Sequence, residues 1–281
     1  MSYWNLDKPK PEPLFRYDDG GDRYYARVIG DEVLWYPSVT RMIKATSPTP
    51  HGLLAWYAEH GMEQANKLRD DAADRGTEMH MHFERYITGM PVDLAGLSEF
   101  QAKALMSFDA WFRESVTEVY AVEMLLYSDQ YGYAGTCDLV CRLNNGKVAI
   151  VDFKSGKTIH DDYVVQLEMY RVAWNELAEM HGWPQVETLY NWLPKDWRKE
   201  PSYTLKCQDN YITSNQIFAR SILYRALQGQ NMKPRDRKIY TGSLPGQAVV
   251  EIVRPEDVVK SAKLRLENDD TDAVLISVGI A

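Results

Sequence analysis

Two runs dense in β-forming residues, Gly132–Leu143 and Lys147–Lys154, are separated only by Asn144-Asn145-Gly146. Asparagine and glycine accept the left-handed backbone that tight turns require, so the two runs form a hairpin. This feature constrains the chain most, because a hairpin decides which residues of its two strands face each other. A three-residue loop with Gly146 left-handed pairs Leu143 with Lys147 and, further along, Asp138 with Asp152, their Cβ atoms about 5 Å apart. A two-residue Asn145-Gly146 turn instead pairs Leu139 with Asp152 and sends Asp138 to the other face, barring a bulge.

The second strand ends Val148-Ala-Ile-Val-Asp152-Phe-Lys154-Ser-Gly156. Alternate residues of a strand share a face, so Asp152 and Lys154 point the same way, with Val148 and Ile150 deeper on that face. An acid and a base at the end of a buried strand are costly unless something uses them. Facing carboxylates at Asp138 and Asp152 repel unless a cation lies between them, and oxygen ligands favour Mg²⁺ or Mn²⁺ over zinc. A salt bridge to Lys154 accounts for the same residues without a metal.

Around this hairpin the texture is α/β. Residues 1–35 read as extended and turn structure with a short hairpin around Tyr24–Trp35. Ser38 or Thr40 can cap a short helix. Helical patterns follow at His51–Gly61, Glu63–Ile87 and Ser98–Phe112, then a strand at Val119–Tyr127 before the hairpin. After Gly156 come a long helix, Asp161–His181, a strand, Val186–Leu193, and a helix, Asn215–Leu227. Beyond residue 229 lie a Lys/Arg/Pro stretch, a strand at Ala248–Val253, a polar helix and an acidic tail. Helices, three strands, helix, strand, helix, with one antiparallel hairpin, predict an α/β fold with a mixed sheet.

Composition narrows the class. With 45% hydrophobic and 26% charged residues, the 281-residue chain is globular rather than disordered or fibrous. No apolar run reaches the roughly 18–20 residues of a membrane helix, and the N-terminus lacks a signal peptide's apolar stretch, so an intracellular, soluble protein is expected. Cys137, Cys141 and Cys207 form no CxxC pair, and the first two sit on a strand as small buried hydrophobes; neither zinc nor an iron–sulfur cluster is expected. A net charge of −8 argues against a general polyanion-coating protein, yet not against a nucleic-acid enzyme whose metal site needs carboxylates.

Two helical motifs join the hairpin. In Arg75-Gly-Thr-Glu-Met-His80-Met-His82-Phe-Glu84, His80 and Glu84 share a face and His82 lies on another side. Gln166-Leu-Glu-Met-Tyr170 places Gln166 and Tyr170 one turn apart at the start of the helix after the Asp/Lys strand.

Four motifs in order, Arg75-Gly76-Thr77-x-x-His80, Gly135-Thr136-x-Asp138, Asp152-Phe153-Lys154-Ser155-Gly156 and Gln166-x-x-x-Tyr170, resemble the PD-(D/E)XK nuclease superfamily, in particular its RecB-like exonuclease branch. That branch includes phage and mitochondrial genome-maintenance exonucleases. The resemblance covers roughly residues 36–228, including Pro37-Ser38-Val39-Thr40 with Leu54 and Trp56, and lacks the iron–sulfur cysteines of one sub-branch. It implies a restriction-endonuclease-like core, a central mixed sheet flanked by helices, with an N-terminal helical region. It implies one or two Mg²⁺ or Mn²⁺ ions, a first held by His80, Asp138, Asp152 and the backbone carbonyl of Phe153, and Glu123 helping to hold a second. Lys154 would orient and activate the attacking water, while Gln166 and Tyr170 would hold the scissile strand or support the active-site face.

The implied activity is metal-dependent DNA exonuclease action in repair, recombination or phage DNA processing, in the cytoplasm of a bacterial or phage-infected cell. The alternatives are a structure-specific endonuclease of the same fold and a non-catalytic DNA-binding or assembly module. The implied partner is single- or double-stranded DNA with a free end, and a recombination or annealing protein is a further candidate. Arg75, Arg41, Lys44, Lys67, Lys157, Lys233, Arg235, Arg237 and Lys238 are the candidate phosphate contacts. For Arg75 a salt bridge to Glu78 or Asp71 competes, and for the 233–238 run an ordinary solvated face does. Trp56 and Tyr57 could stack on unpaired bases or belong to the core. The chain divides into 1–70, extended and helical with residues 36–70 a candidate DNA arch, 71–228, the nuclease core, and 229–281, a C-terminal extension.

Overall fold

The computed structural model describes residues 13–156, 158–209, 214–229, 232–241, 249–268 and the backbone of 276–278. Three strands open the chain, β1 (Leu14–Asp19), β2 (Asp22–Ile29) and β3 (Glu32–Pro37), followed by helices α1 (Val39–Thr46), α2 (His51–His60), α3 (Met62–Ile87) and α4 (Glu99–Ser115). Next come β4 (Val116–Ser128), β5 (Tyr133–Leu143), β6 (Val148–Phe153), α5 (Asp161–His181), β7 (Thr188–Pro194), β8 (Tyr203–Cys207) and α6 (Ser214–Gln228). The chain continues through β9 (Arg237–Thr241), β10 (Val249–Val253), α7 (Pro255–Asn268) and β11 (Ile276–Val278). None of the described helices is long and apolar enough to cross a membrane.

Local chemistry sets the element ends. The Ser38 hydroxyl accepts from the backbone N–H of Arg41 at 3.1 Å and starts α1. Ser98 and Gln101 form a reciprocal capping box at α4, and α5 stops at Gly182 in the left-handed conformation. The strand Ala248–Val253 appears as β10, although Ala248 and the acidic tail lie outside the described residues.

Internal contacts sort the chain into two compact units. Among the described residues, the first comprises Ser47–Met124 and Thr136–Ser214; the second comprises residues 13–46, Leu125–Gly135 and the described stretches of 215–278. Long-range pairing, which local sequence does not announce, joins distant segments within the second unit: β11 pairs parallel with β1, and Val259 and Ala262 of α7 pack on Phe15, Tyr17 and Ala26.

Strands β4-β5-β6-β7-β8 form a five-stranded mixed sheet in that order, with β5–β6 and β7–β8 antiparallel and β6–β7 parallel. On one face Leu139, Cys141, Leu143, Ala149, Val151, Phe153 and Trp192 join Met79, Phe83 and Ile87 of α3 and Phe108, Trp111 and Phe112 of α4 in an aromatic core. Phe83 and Phe108 stack there at 4.3 Å. Cys137 and Cys141 are fully buried and unpaired. The alternate residues, Asp138, Val140, Val148, Ile150 and Asp152, therefore take the opposite face, and α5 packs against β6 and β7.

Candidate active site

The hairpin adopts the longer loop. Leu143 and Lys147 close it, Gly146 has φ +84°, and the ladder runs Arg142–Val148, Cys141–Ala149, Val140–Ile150 and Leu139–Val151. One step further the same register sets Asp138 against Asp152. Both are buried, and Asp138 Oδ2 accepts from the backbone N–H of Phe153 at 2.6 Å.

Two neighbouring clusters grow from this pair. In the first, the α3 residue His80 lies beside Asp138 and Glu123, and one ligand atom from each falls within 4.8 Å of the others. His80 Nδ1 is 3.1 Å from Glu123 Oε1 and 3.5 Å from Asp138 Oδ1, while Nε2 is 3.0 Å from the Phe153 carbonyl oxygen. Glu123 reaches the cluster through unusual backbone: its φ is +45°, in the middle of β4, where the alternation of buried and exposed residues breaks down. A non-glycine residue held there is strained.

In the second cluster, Asp152 is bonded to Lys154, whose Nζ lies 3.0 Å from Oδ1 and 2.8 Å from Oδ2. The ammonium also donates to Gln166 Oε1 at 3.0 Å and lies 4.4 Å from the Tyr163 ring centroid, and Gln166 Nε2 donates to the Tyr170 hydroxyl at 2.9 Å. The expected ligand Asp152 lies beside the His80, Asp138 and Glu123 group, with its carboxylate held by Lys154. Glu123 completes the His80 cluster, and Asp152 turns to Lys154, because the nearest cation to its carboxylate is that ammonium.

The electrostatics match this division. Burial works against a charged His80 ring, but Asp138 and Glu123, with Asp152 behind them, outweigh it and push the pKa up to about 9. Burial raises Asp138 against the pull of His80, and raises Asp152 to about 6 against the pull of Lys154. Burial would neutralise Lys154, yet Asp152 and Asp138 keep its pKa above the ordinary lysine value. Lys154 is therefore a standing positive charge and donor rather than a proton acceptor.

An imidazole, two carboxylates and a backbone carbonyl on converging elements fit a hard divalent cation, and the oxygen majority disfavours zinc. The chemistry available is charge stabilisation at an anionic centre, beside an ammonium that can hold a water.

The remaining candidates sort differently. Arg75 is exposed on α3, and among the described residues it has no ion-pair or hydrogen-bond partner; Glu78, its proposed alternative partner, accepts from Gln101 at 2.8 Å. Gly76 next to it gives close access to the loop after β6, since a Cβ there would lie 3.3 Å from Ser155 Oγ. Trp56 and Tyr57 are half-buried on α2, a helix with no fully buried residue, which corrects the core reading of that face.

Arg41, Lys44, Lys233, Arg235, Arg237 and Lys238 lie in the second unit. Arg41 is engaged there by Asp22, the Tyr224 hydroxyl at 2.7 Å and the Tyr24 ring, and Arg237 and Lys233 are paired with Asp19 and Glu256, each at 2.7 Å. Each of these three, a candidate phosphate contact, thus also carries an intramolecular ion pair. Lys44 is exposed, Lys67 is exposed in the first unit, and Lys157 lies outside the described residues.

Residue-level reading missed Tyr163 and a buried amide pair, Asn191 and Gln208, behind Asp152. A lone asparagine within the apolar run Leu189–Leu193 is the one signal that could have revealed Asn191; Gln208 carries none.

A family model of the PD-(D/E)XK nuclease superfamily matches residues 50–238, more than half of the chain and every residue of the two clusters. No curated protein matches the sequence at a significant level.

Proposed function

Because the chain belongs to the PD-(D/E)XK nuclease superfamily, we propose that it is a divalent-metal-dependent DNA exonuclease, acting in DNA repair, recombination or phage DNA processing in the cytoplasm of a bacterial or phage-infected cell. The observation that carries this reading is the convergence of His80, Glu123 and Asp138 beside the Asp152–Lys154 pair. Preference for an exonuclease over an endonuclease rests on the four ordered motifs and their resemblance to the RecB-like branch.

His80, Asp138, Glu123 and the Phe153 carbonyl would hold the first Mg²⁺ or Mn²⁺, with Asp152 alongside and Glu123 able to share a second ion. When bound, the cation supplies Lewis acidity at the phosphoryl oxygen and lowers the pKa of water. Lys154, positively charged and braced by Asp152, Gln166 and Tyr163, holds the attacking water and offsets negative charge as it develops on the phosphate. Gln166 is fixed by Tyr170 and keeps the ammonium from swinging away. Arg75, unpaired and exposed, contacts a backbone phosphate.

End-labelled single- and double-stranded DNA, digested by wild type and by Lys154→Ala in Mg²⁺, Mn²⁺ or EDTA, tests the reading. Metal-dependent trimming from an end, lost in the variant, is expected, and labelling each end in turn gives the polarity. Cleavage of closed circular single strands would overturn the exonuclease assignment. DNA bound but never cut by wild type would replace it with a binding module.

A further inference from the structure

Behind the Asp152–Lys154 pair the structure buries two carboxamides that the proposed chemistry does not use. Asn191 on β7 is the parallel-register neighbour of Asp152 and is 0% exposed; its Nδ2 donates to Asp152 Oδ2 at 2.8 Å. Its own Oδ1 accepts from Gln208 Nε2 at 2.8 Å. Gln208, 2% exposed and just past β8, is anchored by its backbone N–H, which donates to the Leu189 carbonyl at 2.8 Å.

Burying an amide is costly unless it is bonded, and hydrocarbon of the same shape would serve a core at least as well. The bonds also run in one direction. An ionised carboxylate only accepts, so Asn191 must present its NH₂ to Asp152 and its carbonyl to Gln208, and Gln208 must then offer its own NH₂. Gln208, one residue removed from the charge, thereby completes the chain that holds Asn191 with its NH₂ toward Asp152. The consequence falls on the carboxylate: Oδ2 receives both Asn191 and Lys154, whereas Oδ1 receives Lys154 alone among the described residues.

We infer that Asn191 and Gln208 are positioning residues for the metal site, fixing the rotation of Asp152 so that Oδ2 is saturated and Oδ1 keeps the lone pair a divalent cation can use. The inference rests on reading the site as that of a metal-dependent nuclease, and it adds control of Asp152 by two residues outside every motif. Outer partners that orient ligating carboxylates commonly affect metal affinity by about 10–100-fold.

The test is calorimetric titration of purified, DNA-free protein with Mn²⁺, alongside thermal melting and DNA cleavage over a Mg²⁺ series. Gln208→Met keeps a similar size but removes the donor, so the Asn191 carbonyl loses its partner and the amide is free to turn away from Asp152. The double variant Asn191→Leu/Gln208→Leu removes both amides at similar volume, a change that leaves a fold about as stable. Both are expected to bind Mn²⁺ at least about 10-fold more weakly and to need correspondingly more Mg²⁺ for half-maximal cleavage, with little loss of turnover at saturating metal. Variants that bind Mn²⁺ like wild type, whatever their melting temperature, would overturn the inference. Wild type that binds Mn²⁺ yet cuts no DNA would overturn the nuclease reading and leave this one standing.

Discussion

His80 Nε2 lies 3.0 Å from the carbonyl oxygen of Phe153, while Nδ1 faces the Glu123 carboxylate at 3.1 Å. Both partners accept, so each ring nitrogen donates and the ring is an imidazolium, which Asp138 and Glu123 favour by raising its pKa to about 9. A proton therefore occupies the position of charge that a cation would take, and the two compete.

Stability in EDTA should follow this proton. A His80 pKa raised from 6.5 to about 9 on folding contributes stability that is complete below 6.5 and lost as pH rises through about 9. Asp152, raised to about 6, acts with the same sign at lower pH. Metal-free protein should melt lower as pH rises from 6.5 to 9, and Mn²⁺ should restore more stability at the upper end. In His80→Gln this part of the pH dependence should be flatter. Melting curves across that range, with EDTA or Mn²⁺, check the outcome; parallel curves for the two proteins would contradict it.

Removing Lys154 should separate chemistry from binding. Lys154→Ala takes away a donor and a positive charge next to the reacting phosphate and should lower turnover on the order of 10²–10³-fold, with DNA affinity nearly kept. Asp138→Ala should abolish Mn²⁺ binding as well, because Asp138 also bonds the Phe153 amide that shapes the site. Single-turnover digestion, DNA binding by anisotropy and Mn²⁺ titration distinguish the two.

Arg75 and Arg237 should behave oppositely. Arg75→Ala should weaken DNA binding and lower the slope of log affinity against log salt by about 1, the signature of one phosphate contact. Arg237→Ala should leave that slope unchanged and lower thermal stability through the loss of its Asp19 pair. Binding isotherms over a salt series, together with melting curves, read both.

Gly146 sits at φ +84°, where a side chain is strained. Gly146→Ala should cost about 1–2 kcal/mol of stability, measured by urea unfolding. Metal affinity should survive, since the register is also held by the ladder from Arg142–Val148 to Leu139–Val151.

Local pattern was sufficient for whatever depends on near neighbours. The Asn-Asn-Gly loop, the Ser38 cap and the apolar periodicities of α3, α4 and α5 placed those elements, because turns, caps and amphipathic faces are short-range effects. Strands β1, β8 and β9 escaped notice: they are short, and their pairing depends on partners far along the chain. The exposed, charge-rich Lys233–Lys238 stretch gave no sign that Asp19, more than two hundred positions earlier, would take up Arg237.

The same boundary runs through the site. By itself the sequence determined the four motifs, the hairpin, and the shared face of Asp152 and Lys154, since strand periodicity fixes that face; which of two loops closes the hairpin, and so which face Asp138 takes, it left open. Tertiary structure alone decided that Glu123 would bend into the His80 cluster and that Asn191 and Gln208 would stand behind Asp152. Those choices depend on desolvation and on competition among charges packed together from separate elements, and neither exists until the sheet and α3 have closed around them.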